Sequence, residues 1–370
     1  IISHITMKKV SVQNYSMQSE LELKSGEILV SPNIAYETWG NLNADLSNAI
    51  LITTGLSPSS HAASNEHDSQ KGWWEKLIGP NKAIDTNQFF VICANSLGSC
   101  FGSTGPSSIN PKTNQPYKLL FPKLSIEDIA SSLIRLTNHL GIKQLHTIVG
   151  PSMGGMTALS IVKQSPEIAK QMILISTSTS SRPFSIALRS LQRKMITSDP
   201  AWKNGDYDLT DLPLEGMRLA RFLGMVTYRS PEEWNQRFGR ELIENIATNA
   251  SLLDNTFQVE DYLHNRSDDF IKNFDPNSYL YLSRAIDLFD VVDESNSLPE
   301  EFKQTTLKKI KIIGVNSDYI FPFECQKELN EKFLLSGIES ELIKLQSIQG
   351  HDSFLVDDLN FGKAIFKFLQ

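Results

Sequence analysis

Gly150-Pro151-Ser152-Met153-Gly154 sets a serine between two glycines, directly after an apolar run ending at Val149 and before residues 158–162, which continue as a helix. At a turn from strand to helix a serine takes a strained backbone, and glycines two residues either side remove side chains that would clash. Such a turn lifts the hydroxyl above the sheet edge, where the start of the following helix favours negative charge. Gly155 adds a small residue where that helix must pack closely on the strand. The chemistry this permits is nucleophilic attack by Ser152. G-x-S-x-G alone recurs by chance in Gly/Ser-rich turns, so the strand before it and the helix after it are what single Ser152 out.

A serine nucleophile needs a base and an acid that orients the base, and in this kind of turn they follow in the order Ser, Asp, His. Asp318 lies in Asn316-Ser317-Asp318, just past the strand ending at Val315, and His351 lies in Gln349-Gly350-His351-Asp352, after the last expected strand. Both sit at C-terminal ends of strands, where the loops of an open α/β sheet build sites. His351 is expected to take the Ser152 proton, and Asp318 to fix its tautomer and stabilise the imidazolium. Asp287 and Asp290 compete for the acid role from a helical segment, and Asp352 from beside the histidine. Neighbouring side chains in an extended loop diverge, so Asp352 is expected to face substrate instead. The oxyanion hole needs two backbone amides. Met153, after the nucleophile, is one; Leu56, in Thr54-Gly55-Leu56-Ser57, is the other, with Gly55 letting the backbone turn.

The elements that must position these residues are short apolar β-rich runs alternating with helical patterns, the mark of a parallel sheet flanked by helices. Residues 49–54, 89–95, 145–149, 172–176, 309–315 and 341–345 read as strands, and residues 125–140 as a helix. That helix opens on a capping-box pattern at Ser125 and stops at Gly141. From about residue 181 to 301 the chain turns helical, polar and aromatic. The expectation is therefore an α/β-hydrolase fold: a mostly parallel sheet core, residues 7–180 and 302–370, interrupted by a helical cap or lid, residues 181–301. Residues 293–301 (DESNSLPEE) read as an exposed linker.

Composition narrows the function. A 40% hydrophobic, 21% charged chain of 370 residues reads as globular and can bury a sizeable core. A net charge of −7 argues against a duplex nucleic-acid binder. No run of about 18 apolar residues suggests a membrane span. The three cysteines, Cys93, Cys100 and Cys325, are odd in number and irregularly spaced, which points to reduced thiols and a cytoplasmic protein, with Cys93 in the core. No CxxC, HExxH, EF-hand, GxGxxG or Walker pattern occurs, so no metal and no bound nucleotide cofactor are expected. The polar N-terminus does not read as a secretory signal, and Ile1 to Thr6, ahead of Met7, read as additions to the natural start.

Several longer motifs carry a resemblance. Gly72-Trp73-Trp74, Ile78-Gly79-Pro80, Ile84-Asp85-Thr86, Leu97-Gly98-Ser99-Cys100-Phe101-Gly102, Ser107 with the residues up to Tyr117, Ser152-Met153-Gly154-Gly155-Met156, Thr227-Tyr228-Arg229-Ser230, Arg237-Phe238-Gly239-Arg240, the run from Phe274 to Leu282, and Gly350-His351-Asp352 together resemble the homoserine O-acetyltransferase family, from about residue 30 onward. The resemblance implies ping-pong transfer of an acyl group from acyl-CoA, as co-substrate, to the side-chain hydroxyl of an amino acid. It also implies that Arg221 and Asp352 bind the amino acid, with Tyr228 a weaker companion, and that the chain forms a homodimer. A guanidinium can grip the α-carboxylate and a carboxylate the α-ammonium. A hydrolase would have no need of that pair.

Two segments depart from the acetyltransferase pattern. The loop Gly55-Leu56-Ser57-Pro58 with the serines after it, and the stretch around Arg182 to Arg193, look more like the serine O-succinyltransferase branch of the same family. Serine is one methylene shorter than homoserine, and a stiffer oxyanion loop could bring its hydroxyl closer. Succinyl carries a carboxylate that needs a cation, and Arg189 and Arg193, one helical turn apart, would face the same way. The expected pair is L-serine and succinyl-CoA. L-homoserine with acetyl- or succinyl-CoA is the alternative, and ester hydrolysis a more distant one. A methylene is worth only about 1–3 kcal/mol in a pocket, so both acceptors could be used to some degree.

Overall fold

Parallel strands need helical crossovers and are covered on both faces, so their sequences run apolar rather than alternating. The computed structural model describes residues 11–208, 210–244 and 251–370. The reading of Ile1 to Thr6, residues 7–10 of the expected core, and residues 209 and 245–250 of the expected cap lie outside these residues. Among the described residues, eight strands form the main sheet: β1 (Gln13–Ser16), β2 (Asn33–Trp39), β3 (Ala49–Thr53), β4 (Phe90–Ala94), β5 (Leu145–Pro151), β6 (Ala169–Ile175), β7 (Lys309–Val315) and β8 (Glu339–Leu345). Their order is β1-β2-β4-β3-β5-β6-β7-β8. β2 runs antiparallel to both neighbours, and every other pair is parallel.

Among the described residues, ten α-helices accompany the sheet: α1 (Ile126–His139), α2 (Met153–Gln164), α3 (Pro183–Ser198), α4 (Leu214–Tyr228), α5 (Pro231–Phe238), α6 (Gln258–Asn273), α7 (Pro276–Leu288), α8 (Phe323–Leu335), α9 (Ser353–Val356) and α10 (Asp358–Leu369). The two-residue period of β3 sends Leu51 into the core shared with α1, α2 and α8. Ile50 and Ile52 enter the opposite core, with Trp74 and with Phe361, Ile365 and Phe368 of α10. Helices α3 to α7 fall between β6 and β7 in the chain. Their two ends are tied together where Ser180 pairs with Asp290 and the Val291 amide donates to the Thr179 carbonyl (3.1 Å). Among the described residues no helix is long and apolar enough to cross a membrane.

All six strands read from the sequence are present, with ends shifted by up to three residues. The α1 cap is as expected: Ser125 accepts from the Asp128 amide, Asp128 accepts from the Ser125 amide (2.8 Å), and Gly141 follows at φ +75°. Residues 293–297 are exposed, but Leu298 and Pro299 turn inward. Strands β1 and β2 were not anticipated. β1 is polar and mostly exposed, while the apolar run of β2 is broken by Glu37, which is fully buried.

Candidate active site

Ser152 occupies the single residue between β5 and α2, with φ 56° and ψ −126°. A non-glycine residue in this region costs on the order of 1–3 kcal/mol and persists only where its surroundings hold it. They do so here through two side-chain hydroxyls: Thr177 donates to the Ser152 carbonyl (2.8 Å) and Thr53 to the Gly154 carbonyl (2.7 Å). The flanking glycines have separate reasons. A Cβ on Gly150 would stand 2.5 Å from the Gly154 carbonyl oxygen, one on Gly154 would overlap the Thr53 carbonyl, and one on Gly155 would overlap the Thr177 side chain.

Ser152 Oγ lies 2.9 Å from His351 Nε2, and His351 Nδ1 lies 2.7 Å from Asp318 Oδ2. The other Asp318 oxygen, Oδ1, accepts the amides of Ile320 (2.8 Å) and Phe321 (2.9 Å). A carboxylate only accepts, so Nδ1 carries the proton and Nε2 is left as a base facing the Ser152 hydroxyl. Phe321, Phe354 and Tyr228 crowd the imidazole, with ring centroids 5.5, 5.5 and 5.6 Å away. The three competing aspartates are engaged elsewhere. Asp287 is ion-paired to arginines, and Asp290 stands at the Ser180 bridge. Asp352 lies in a 3-10 turn, Gly350–Asp352, not in the extended loop expected.

Met153 is the first residue of α2, so its amide has no partner within the helix. Neither it nor the Leu56 amide donates to a protein acceptor among the described residues, which leaves both open to an oxyanion. Gly55 is not at positive φ, contrary to the turn role expected of it. A Cβ there would instead come 3.7 Å from Pro58 Cδ and 3.9 Å from Ser152 Cβ.

A cavity of about 130 Å³ opens on the serine and is lined by Gly55, Leu56, Ser57, Pro58, Ser152 and His351, and from α4 and the last turn by Arg221, Tyr228 and Asp352. The sequence reading missed Gln192, Phe270 and Tyr279 in its wall. The stretch from Phe274 to Leu282 had flagged the segment of Tyr279, and the stretch around Arg182 to Arg193 that of Gln192, but neither reading placed these side chains in a wall of the site. Arg221 lies with its guanidinium 4.5 Å over the Phe270 ring, and its Nε is buried without a hydrogen-bond partner among the described residues. Leaving such a donor unmet costs about 1–3 kcal/mol, which an anion could recover. Asp352 Oδ2 accepts from Arg229 Nε at 2.9 Å, and Arg229 also holds Glu233 (3.0 Å). This Arg229 tether was not anticipated either. Burial raises the phenol pKa of Tyr228 and, more strongly, of Tyr279, while nearby arginine charges oppose it, so both stay neutral donors.

Arg189 and Arg193 do face the same way, but onto Asp287 of α7 and not into the cavity. Arg189 Nε is 2.6 Å from Asp287 Oδ1, and Arg193 is 2.7 Å from Oδ2. Arg189 also donates to Ser181 Oγ (2.7 Å) and Arg193 to Ser283 Oγ (2.7 Å). A carboxylate with two guanidiniums on a buried helix face serves packing, so the succinyl-binding expectation for this pair is withdrawn. Asp287→Ala should leave two largely buried cations uncompensated and cost about 3–5 kcal/mol. A urea melt would show it as a lower midpoint at unchanged slope; an unchanged midpoint would contradict the pairing.

The chain is similar to known proteins over nearly its whole length. The family model described as alpha/beta hydrolase fold matches residues 48–311. The serine O-succinyltransferase of Xylella fastidiosa (strain M12) is 48% identical over 357 residues, covering 96% of each chain. A homoserine O-acetyltransferase structure from Bacillus anthracis superposes with a TM-score of 0.89 at 30% identity, covering 97% of each chain. The esterase E22 structure superposes with a TM-score of 0.85 at 29% identity, covering 97% of this chain and 99% of its own.

Proposed function

Because this chain belongs to the α/β-hydrolase fold family, in the company of the serine O-succinyltransferases and homoserine O-acetyltransferases, we propose that it transfers an acyl group from acyl-CoA to the side-chain hydroxyl of an amino acid, with L-serine and succinyl-CoA the preferred pair. The observation that carries this reading is one small cavity holding the Ser152 nucleophile together with an unpartnered Arg221 donor and the Asp352 carboxylate. A zwitterionic acceptor presents the opposite charge to each. The 48% relatives and the Pro58-bearing oxyanion loop favour serine and succinyl over homoserine and acetyl.

Ser152 Oγ attacks the thioester carbonyl as its proton passes to His351 Nε2, and the oxyanion rests on the Leu56 and Met153 amides. Collapse breaks the C–S bond, and the CoA thiolate leaves with the proton from His351. The acceptor hydroxyl then gives its proton to His351 and attacks the Ser152 ester. Collapse releases the O-acyl amino acid and returns the proton to Ser152. No cofactor is needed beyond the co-substrate. The same proposal places residues 181–301 as the cap over the site, a homodimer through its helices, and a cytoplasmic location.

Succinyl-CoA alone should release a burst of about one thiol per site and leave Ser152 acylated. Thiol appearing only once an amino acid is added would sink the ping-pong order. Arg221→Ala should keep the burst and lose acceptor use; a lost burst would move Arg221 to donor binding or folding. The decisive comparison is kcat/KM for serine and homoserine against acetyl- and succinyl-CoA, and equal values across that grid would remove the substrate assignment. The likeness to esterase E22 favours hydrolysis as a second reading. It would be upheld if p-nitrophenyl esters were turned over while acyl-CoA gave no burst.

A further inference from the structure

Glu37 is a charged residue in the interior of β2, with its side chain fully buried, standing opposite Cys93 of β4. An isolated carboxylate in such a place is too costly to persist, so what neutralises it is fixed in position by it. Among the described residues, the side-chain donors on Glu37 come from the segment that follows Leu56: Ser60 Oγ (3.3 Å), His61 Nδ1 (3.0 Å) and Asn65 Nδ2 (3.1 Å). Its ion-pair partner among the described residues is His61.

His61 is held at both ring nitrogens by atoms that only accept, since Nε2 meets the Gln70 carbonyl at 2.8 Å. Against an ionised Glu37 both nitrogens carry protons, which makes His61 an imidazolium. Burial works against that charge, but the bonds to Glu37 and Gln70 outweigh it and hold the His61 pKa above the ordinary imidazole value, with Asp68 adding to the effect. Between this anchor and Leu56, the Pro58 carbonyl accepts from Asn95 (3.3 Å) and the Ser59 carbonyl from Trp73 (3.0 Å). The path from Glu37 to the Leu56 amide is therefore short and pinned at successive residues. No part of the acyl-transfer chemistry uses Glu37 or His61.

We propose that Glu37 and His61 are positioning residues for the oxyanion hole: their buried ion pair clamps the loop after β3 so that the Leu56 amide stays where negative charge develops. This rests on the reading of Ser152 as an acylated nucleophile, though not on CoA as the donor. A hydrogen-bond donor acts on the transition state only from the right place, and displacement by about 1 Å can cost about a hundredfold.

The test uses the full chain with p-nitrophenyl acetate and its thionoester analogue, whose C=S sulfur is a poor hydrogen-bond acceptor. Wild type should favour the carbonyl ester because its oxyanion hole is in place. Glu37→Gln and His61→Ala should lower the p-nitrophenol burst rate about ten- to hundredfold and shrink the carbonyl-to-thionocarbonyl rate ratio severalfold. His61→Asn, whose Nδ2 can stand where Nδ1 does, should recover part of both. If Glu37→Gln does not fold, the two His61 variants carry the comparison. Burst rates within about twofold of wild type, or lower rates at an unchanged ratio, would overturn the proposal. Wild type that gives a p-nitrophenol burst but none from succinyl-CoA would refute the acyl-CoA donor and leave this comparison standing.

Discussion

Ser152→Ala should lower acyl transfer on the order of 10⁵-fold while leaving the protein folded, as nucleophile deletions do where the triad acts as a unit. The substitution removes one oxygen and leaves the Cβ, so the strained φ of 56° and the hydrogen bonds from Thr177 and Thr53 are undisturbed. The lost atom is the one 2.9 Å from His351 Nε2. With it goes the covalent intermediate: His351 still has its proton carrier role, but any acceptor must attack the thioester directly, without the two-step path. Thiol release from succinyl-CoA, followed by mass spectrometry of the peptide containing residue 152, reads both consequences. Loss of less than about tenfold, or an acyl group found on another residue, would show that the nucleophile lies elsewhere.

What the sequence shows of this site follows how local each feature is. Ser152 is legible because strand, turn and helix are contiguous, and the requirement for small residues at Gly150, Gly154 and Gly155 is met within the same few positions. Asp318 and His351 are distant in sequence but both follow strand ends, so topology substitutes for proximity. The spacing of Arg189 and Arg193 correctly puts them on one face of α3. Periodicity says nothing of what that face meets, and Asp287 arrives from α7, almost a hundred residues on. Asp352 was expected in an extended loop, and the Arg229 that tethers it comes from the end of α4. Glu37 defeats pattern reading in a different way. A charge in an apolar run argues against a buried strand, and only the folded loop around His61 supplies the partner that makes its burial tolerable.

Asp318→Asn should cost about 10⁴-fold in kcat with little change in fold, and the direction follows from its hydrogen bonds. The amides of Ile320 and Phe321 both donate to Oδ1, so the asparagine oxygen must stay on that side to accept them. The new NH₂ then stands where Oδ2 stood, 2.7 Å from His351 Nδ1. Two donors cannot face each other there, so Nδ1 gives up its proton and Nε2 takes one. The imidazole now offers a hydrogen to Ser152 Oγ where it formerly accepted one, and the general base is lost while every heavy atom keeps its place. The imidazolium formed during attack also loses its neighbouring carboxylate. Acylation by succinyl-CoA and deacylation by the amino acid should therefore slow together, because both use Nε2 as base, and ¹⁵N resonances of the His351 ring should report the exchanged tautomer. A variant with the original tautomer and near wild-type turnover would remove Asp318 from the catalytic chain.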